Sequence, residues 1–268
     1  MVAELHTDDG ASGARDASFC TQDGFAYRFD WGPNGLRTLA PLADVVVIVD
    51  VLRFTSAVSA AVESGCTVSP YRWAADGAGP YAAAHDATQA GRREHGELSL
   101  SPTGLLAVTT PLRIVLPSPN GSALAFAARE HGARHVLAGC LRNASATAIV
   151  ARRLAGPAGV IAVIAAGERW HGATGPIRPA VEDLLGAGAV LAALDPAAAV
   201  AAPCCAPEAA AARAAFVAAR PRLHDAVAGS SSGRELLARG WDDDVATSAA
   251  LDVTDHAAHL VDDAFVRA

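Results

Sequence analysis

Aromatic residues are scarce in this chain of 268 residues, at 5% against 51% apolar residues overall. A core of that composition is built from Ala, Val and Leu, which favours helices packed closely on a sheet. The net charge is −7 and no block of basic residues occurs, so the electrostatic footprint of a protein that binds nucleic acid or anionic lipid is missing. An anionic ligand would have to meet a locally positive site instead. The opening MVAELHTDDG has neither a basic n-region nor an apolar h-region, so a secretory signal is not expected there. No apolar run reaches spanning length, since the Ala-rich stretch near 187–202 is broken by Asp195 and Pro196 and closed by Pro203. The expected location is the cytoplasm. Five cysteines, an odd number without a paired framework, suit a reducing compartment, and the adjacent Cys204 and Cys205 read as free thiols.

Several signature motifs are also missing. There is no GxxxxGK[ST] or GxGxxG loop, which argues against a nucleotide cofactor. Cys66 to Arg72 has the C-x5-R spacing of thiol phosphatases, but the intervening TVSPY lacks glycine and reads as a strand. Leu52 stands where a haloacid-dehalogenase-type phosphatase would place a second Asp after Asp50. His256 and His259 are too few for a zinc array and read as part of a helix surface.

What is present is a repeated strand-then-helix pattern. Residues 1–20 are small and polar and read as a flexible arm. The remaining 21–268 read as a single α/β domain, with 21–150 and 151–268 as possible lobes. FAYRFDW reads as a short strand followed by a turn at Gly32-Pro33-Asn34-Gly35, and ADVVVIVDV as a strand covered on both faces because its apolar run does not alternate. FTSAVSAAVESG then reads as a helix ended by Gly65. The alternation recurs: LRIVLPS precedes a helix over Ser122–His131, RHVLAGC one after Asn143, and VIAVIAAG one from about Pro179. The pattern predicts an α/β fold with a largely parallel sheet flanked by helices. The last third reads as helical, with a helix near Gly233–Arg239 and a final apolar segment at Leu251–Val253.

In such a sheet ligands bind beyond the carboxyl ends of the strands, so the strand-to-helix junctions carry the candidates. Asp50 ends a run of apolar residues, a costly place for a carboxylate unless it is hydrogen-bonded, caps the next helix or binds a cation. Arg53 stands near that helix's start, where a cation opposes the dipole; it is either part of an anion site or a solvent-exposed arginine. Ser118-Pro119-Asn120-Gly121-Ser122 could offer backbone N–H groups to an oxyanion or be an ordinary turn. Asn143 and Ser145 fit a helix cap at least as well as a site, and Glu168 is either a ligand or a loop carboxylate. Glu182 and Asp183 fall in a helix's first turn, where the dipole alone favours acids, but with Asp50 they could supply the hard oxygen ligands Mg²⁺ prefers.

The segments VVVIVDVLRFTSAV, PSPNGS, GCLRNASA, GERW, VEDLLGAGAV and SGRELLARGWDDDV resemble, in order and spacing, the 2-phosphosulfolactate phosphatase family, from about Asp44 to Val253. The resemblance implies an α/β, Mg²⁺-dependent enzyme that removes phosphate from 2-phosphosulfolactate on the way to coenzyme M. It implies Asp50, Arg53, Asn120, Asn143, Glu182 and Asp183 in the site. The family's G-N-S-P element is replaced here by GELSLSPTG, which keeps Ser101 and Pro102. The expected activity is therefore hydrolysis of a phosphate monoester of a small acidic 2-hydroxy compound. Asp50 and Glu182 would hold Mg²⁺, Arg53 and the Ser118–Ser122 segment with Asn143 would take the substrate, and Asp183 or Glu168 would orient water. A homodimer is compatible with this reading. The rival is a phosphoester-binding protein of the same fold without turnover.

Overall fold

A computed structural model of the chain describes residues 17–71, 77–91, 93, 98–170, 175–195 and 204–268. Most of the expected N-terminal arm, residues 1–16, lies outside them. The elements begin with β1 (Tyr27–Trp31), α1 (Gly32–Leu39), β2 (Val45–Val49), α2 (Phe54–Glu63), β3 (Thr67–Tyr71), α3 (Ala78–Ala84) and β4 (Thr88–Gln89). They continue with α4 (Pro102–Leu106), β5 (Arg113–Pro117), α5 (Gly121–Glu130), β6 (His135–Gly139), α6 (Ala144–Ala155) and β7 (Ile161–Ala165). A two-stranded ribbon of β8 (Glu168–Arg169) and β9 (Ile177–Arg178) precedes α7 (Val181–Leu194). Four further helices follow, α8 (Pro207–Ala219), α9 (Leu223–Gly229), α10 (Ser231–Ala238) and α11 (Asp242–Ala249), and then the hairpin β10 (Ala258–Val261) and β11 (Ala264–Arg267).

Nine strands form one mostly parallel sheet in the order β1-β7-β2-β6-β10-β11-β3-β5-β4. The α/β expectation holds, and the pattern of β2 shows why its apolar run was informative. Val45, Val47 and Val49 face one core with α6, α7 and α8, while Val46 and Ile48 face another with α2 and α5. A strand covered on both faces has no position left for a polar residue, so it reads as continuous rather than alternating.

Three expectations are corrected. Gly32-Pro33-Asn34-Gly35 is the first turn of α1, not a loop, because Pro33 sits where its missing N–H is an orphan anyway and Gly32 takes φ +57°. His259 lies on β10 and His256 on the approach to it, not on a helix. The chain also ends in strand rather than helix: β10 pairs antiparallel with β6, and β11 antiparallel with β3, so this hairpin is the seam between two parallel blocks. The cysteines are free thiols as expected. No helix among the described residues is long and apolar enough to cross a membrane.

The seam decides where strand ends meet. Five steps separate β2 from β5 along the sheet, and at about 20–25° of twist per step the two strands cross steeply, bringing the end of β5 round toward the end of β2. The contact is direct, since the Gly121 N–H that opens α5 donates to Asp50 Oδ2 at 2.8 Å.

Candidate functional site

Asp50 leaves the carboxyl end of β2 with its side chain 5% exposed. Its backbone is locked to Thr55, whose hydroxyl accepts from the Asp50 N–H at 2.9 Å and donates to the Asp50 carbonyl at 2.8 Å. Its carboxylate bridges two helix N-termini: Oδ1 accepts from Phe54 N at 3.2 Å at the start of α2, and Oδ2 from Gly121 N at the start of α5. Asp50 is not itself an N-cap, since Arg53 holds that position in α2 and Asn120 in α5, but its side chain satisfies the first N–H of each helix. Each oxygen retains a lone pair beyond its N–H bond. A Cβ on Gly121 would stand 2.6 Å from the Phe54 ring and 2.7 Å from Asp50 Oδ2, so glycine is what lets the α5 backbone come this close.

Glu182 and Asp183 arrive from the first turn of α7, as expected. Glu182 and Gly186 share one stripe of that helix, four residues apart. A Cβ on Gly186 would stand 2.5 Å from Val51 and 2.9 Å from Val49, so the missing side chain lets α7 settle on the end of β2. Asp183 spends both oxygens on loops: Oδ1 accepts from Val51 N at 2.7 Å and Oδ2 from Gly167 N at 3.0 Å, tying the exit of β2 to the exit of β7. Glu182 differs. It is 3% exposed and accepts no hydrogen bond from any described residue. Burial, followed by the Asp50 and Glu182 charges, raises the Asp183 pKa well above the ordinary carboxylate range. Burial, with Glu168 and Glu182 adding to it and the two N–H bonds opposing, pushes Asp50 up to about 6.

Asn120, at the N-cap of α5, donates from Nδ2 to Glu168 Oε1 at 2.9 Å, and Glu168 also accepts from Arg169 N at 2.7 Å. The Asn120 Oδ1 is buried and has no partner among the described residues. Ser118 is buried at the end of β5, and its hydroxyl accepts from Asn120 N at 3.4 Å. The other polar residues of these junctions are engaged in the framework. The Ser122 hydroxyl accepts from Tyr71 N at 2.7 Å and donates to Tyr71 O at 2.8 Å. Asn143 accepts from Cys140 N at 2.9 Å and donates to Ala138 O at 3.1 Å.

Arg53, at the N-cap of α2, turns toward a second cluster. Its Nη1 donates to Asp244 Oδ2 at 2.9 Å, and its guanidinium stacks 4.5 Å from the Trp241 ring centre. Arg239 and Arg93 stand around the same ring at 5.2 and 5.5 Å. Arg93 also pairs with Asp244 and grips both oxygens of Asp243, at 2.9 and 3.0 Å. Burial lowers the Arg53 pKa and Asp244 counters it. Arg93, Ser101, Trp241 and Asp244 were not marked as candidates by junction reasoning. The available signal was GWDDDV, whose acids pass for ordinary first-turn residues of α11. Arg142 is committed to Glu63 at 2.7 Å.

A family model described as 2-phosphosulpholactate phosphatase matches residues 34–263. The chain belongs to this family. No curated protein is similar enough to the chain to count as a match. The family is one of phosphatases, and its matched span includes both clusters, from Asp50 and Arg53 through Asn120 and Glu182 to Asp244. A cleft of about 490 Å³ lined by Glu63, Ser145, Ile149, Asp252 and His256 includes none of these residues. Among the described residues no three His, Cys, Asp or Glu side chains converge closely enough to hold a metal ion alone. The donors nevertheless suit a hard cation held by few protein ligands: among the described residues the Glu182 carboxylate and the Asn120 carbonyl oxygen have no hydrogen-bond partner, and Asp50 keeps spare lone pairs.

Proposed function

We propose that the protein is a Mg²⁺-dependent phosphatase acting on a phosphate monoester of a small acidic 2-hydroxy compound, of the 2-phosphosulpholactate kind. The observation that carries this reading is the carboxylate of Glu182, a buried residue with no hydrogen-bond donor among the described residues. It is set with Asp50 and Asp183, whose pKa values are raised by burial and by neighbouring carboxylates, while the nearby Asn120 Oδ1 lacks a partner among the described residues. Like charges gathered out of water are costly unless a cation or a proton offsets them. Asp50 and Glu182, with Asn120 Oδ1, would hold the Mg²⁺, which when bound supplies charge neutralisation for the phosphoryl oxygens.

The chain's own groups do the rest. Arg53 offers a guanidinium to the phosphoryl oxygens, and the N-terminal turn of α5 adds its positive dipole end. Glu168 is held by Asn120 and keeps a second oxygen free to orient the attacking water and take its proton. Asp183 fits the role of a clamp for the two loops better than that of a base, since both its oxygens accept N–H bonds.

The test is release of inorganic phosphate from an aryl phosphate and from a panel of phosphorylated 2-hydroxy acids, after chelation and with Mg²⁺ restored. Turnover on the acids only when Mg²⁺ is present is the expected result. Full turnover in excess chelator would remove the cation from the reading, and tight phosphate binding without hydrolysis would favour a non-catalytic anion sensor.

A further inference from the structure

We propose that Asp244 is a positioning residue, which sets the guanidinium of Arg53 for its ligand. The inference rests on the reading of Arg53 as a phosphate group's partner. Asp244 is the third residue of α11 and is fully buried. A carboxylate there needs several strong donors, and four reach it. Arg53 Nη1 and Arg93 Nη1 share Oδ2, while Ser101 Oγ at 2.6 Å and Thr103 N at 3.4 Å take Oδ1. These partners come from the β2–α2 junction and from the segment leading into α4, so one side chain joins three distant stretches of the chain.

The consequence for Arg53 is geometric. One nitrogen, Nη1, is pinned by Asp244, and the plane of the guanidinium is fixed by Trp241 beneath it. Nε and Nη2 have no hydrogen-bond partner among the described residues. Those two nitrogens form the parallel edge of the guanidinium, the edge that meets two oxygens of a phosphoryl group at once. A flexible arginine would lose rotamer freedom on binding; this one has already given it up. Asp244 also separates Arg53 from Arg93, because both cations lean on its Oδ2. Without its charge the two guanidinium groups repel, and Arg53 leaves its seat on Trp241.

The experiment is a double-mutant cycle of Asp244→Asn and Arg53→Lys on the full chain, read in kcat, in KM and in the Kd for inorganic phosphate by calorimetry, with folding checked by circular dichroism. Asp244→Asn alone should lower kcat about 10- to 100-fold and leave KM within about threefold. In the Arg53→Lys background the same change should cost less than about threefold, because its target is already gone. Ser101→Ala, which keeps the charge and loosens one of its four anchors, should cost about 3- to 10-fold with the same coupling, and it serves if the Asn variant does not fold. Equal losses in both backgrounds would overturn the inference, as would an unchanged kcat in both single variants. If the native protein hydrolyses no phosphorylated 2-hydroxy acid, the phosphatase reading fails by itself. The cycle then stands or falls on phosphate Kd: a loss confined to the Arg53 background supports Asp244, and additive losses sink it.

Discussion

Asp50 and Asp244 are both buried aspartates tied to the short segment that joins β2 to α2, and their surroundings are opposite. Asp244 takes two guanidinium groups, a hydroxyl and a backbone N–H, so its charge is answered within the chain. Asp50 has two backbone N–H bonds and, beyond them, the carboxylates of Glu168 and Glu182. The chain contains no lysine, so every strong side-chain cation is an arginine, and three of them gather around Trp241. A self-compensated pair holds a shape; a cluster left with net negative charge asks for something from outside the chain. The contrast predicts that changes at the first cluster act on chemistry and on its dependence on cations and pH, whereas changes in the framework act on stability.

The largest expected effect is Asp50→Asn. It keeps the size of the side chain and removes the charge that Mg²⁺ would need, so kcat/KM should fall about 1,000-fold, equivalent to about 4 kcal/mol of transition-state stabilisation. Steady-state kinetics at saturating Mg²⁺ check this. A fall of less than about tenfold would leave Asp50 as an acceptor for two helix N-termini and nothing more.

Next in size is a dependence of metal-free stability on pH. Asp50 sits at about 6 in the folded chain and near 3.9 when unfolded, so between those values the folded state holds the extra proton. Stability therefore falls as pH rises through that window, by up to about 3 kcal/mol for this one group. In excess chelator, the stability of Asp50→Asn relative to the native protein should improve steadily from about pH 4 to about pH 6 and then level off. Urea unfolding at several pH values gives the comparison, and a gap that stays flat across the window would mean that burial does not hold Asp50 protonated. Millimolar Mg²⁺ at pH 7 should raise the melting temperature of the native protein and not that of the variant.

Much of this arrangement was legible in the sequence, and the reasons differ by region. The unalternating Val/Ile run of β2 and the carboxylate that ends it are local signals, and both meant what they suggested. Glu182 is a harder case, because a first-turn acid is usually there for the dipole, and only the packing of Gly186 on Val51 brings it to Asp50. Gly32–Gly35 misled because a Gly-Pro start is shared by turns and helices. The hairpin of β10 and β11 went unread because its strands have four residues each and its turn rests on Asp262 at φ +50° rather than on a glycine. Asp244 was missed for a general reason: its partners lie at least 141 residues away, and no local pattern reports such a contact.

A smaller effect is expected for Gly121→Ala. The added methyl would meet the Phe54 ring and the Asp50 carboxylate inside normal contact distance, and neither has space to retreat because Phe54 is fully buried and Asp50 is held by two N–H bonds. Overpacking of this kind costs about 1–3 kcal/mol, and the shift of α5 should also weaken phosphate binding. Urea denaturation together with phosphate calorimetry reads both. If neither moves, the close approach of α5 to Asp50 is not needed by the site.

The smallest effect on chemistry should come from Ser122→Ala, although Ser122 lies one residue from Gly121 in the segment expected to bind substrate. Its hydroxyl has no exposed surface and exchanges two hydrogen bonds with Tyr71, accepting from the N–H at 2.7 Å and donating to the carbonyl at 2.8 Å. A hydroxyl has one proton to give, and this one is already given to the Tyr71 carbonyl at the end of β3. Alanine leaves that N–H and carbonyl without their side-chain partner, which costs about 1–3 kcal/mol, while α5 keeps its hold on Asp50 through Gly121. The variant should therefore unfold at lower urea concentration and turn over substrate within about twofold of the native kcat. A tenfold loss of kcat with stability intact would reverse the assignment: Ser122 would then face the phosphoryl group during turnover, and its bonds to Tyr71 would describe only the resting site.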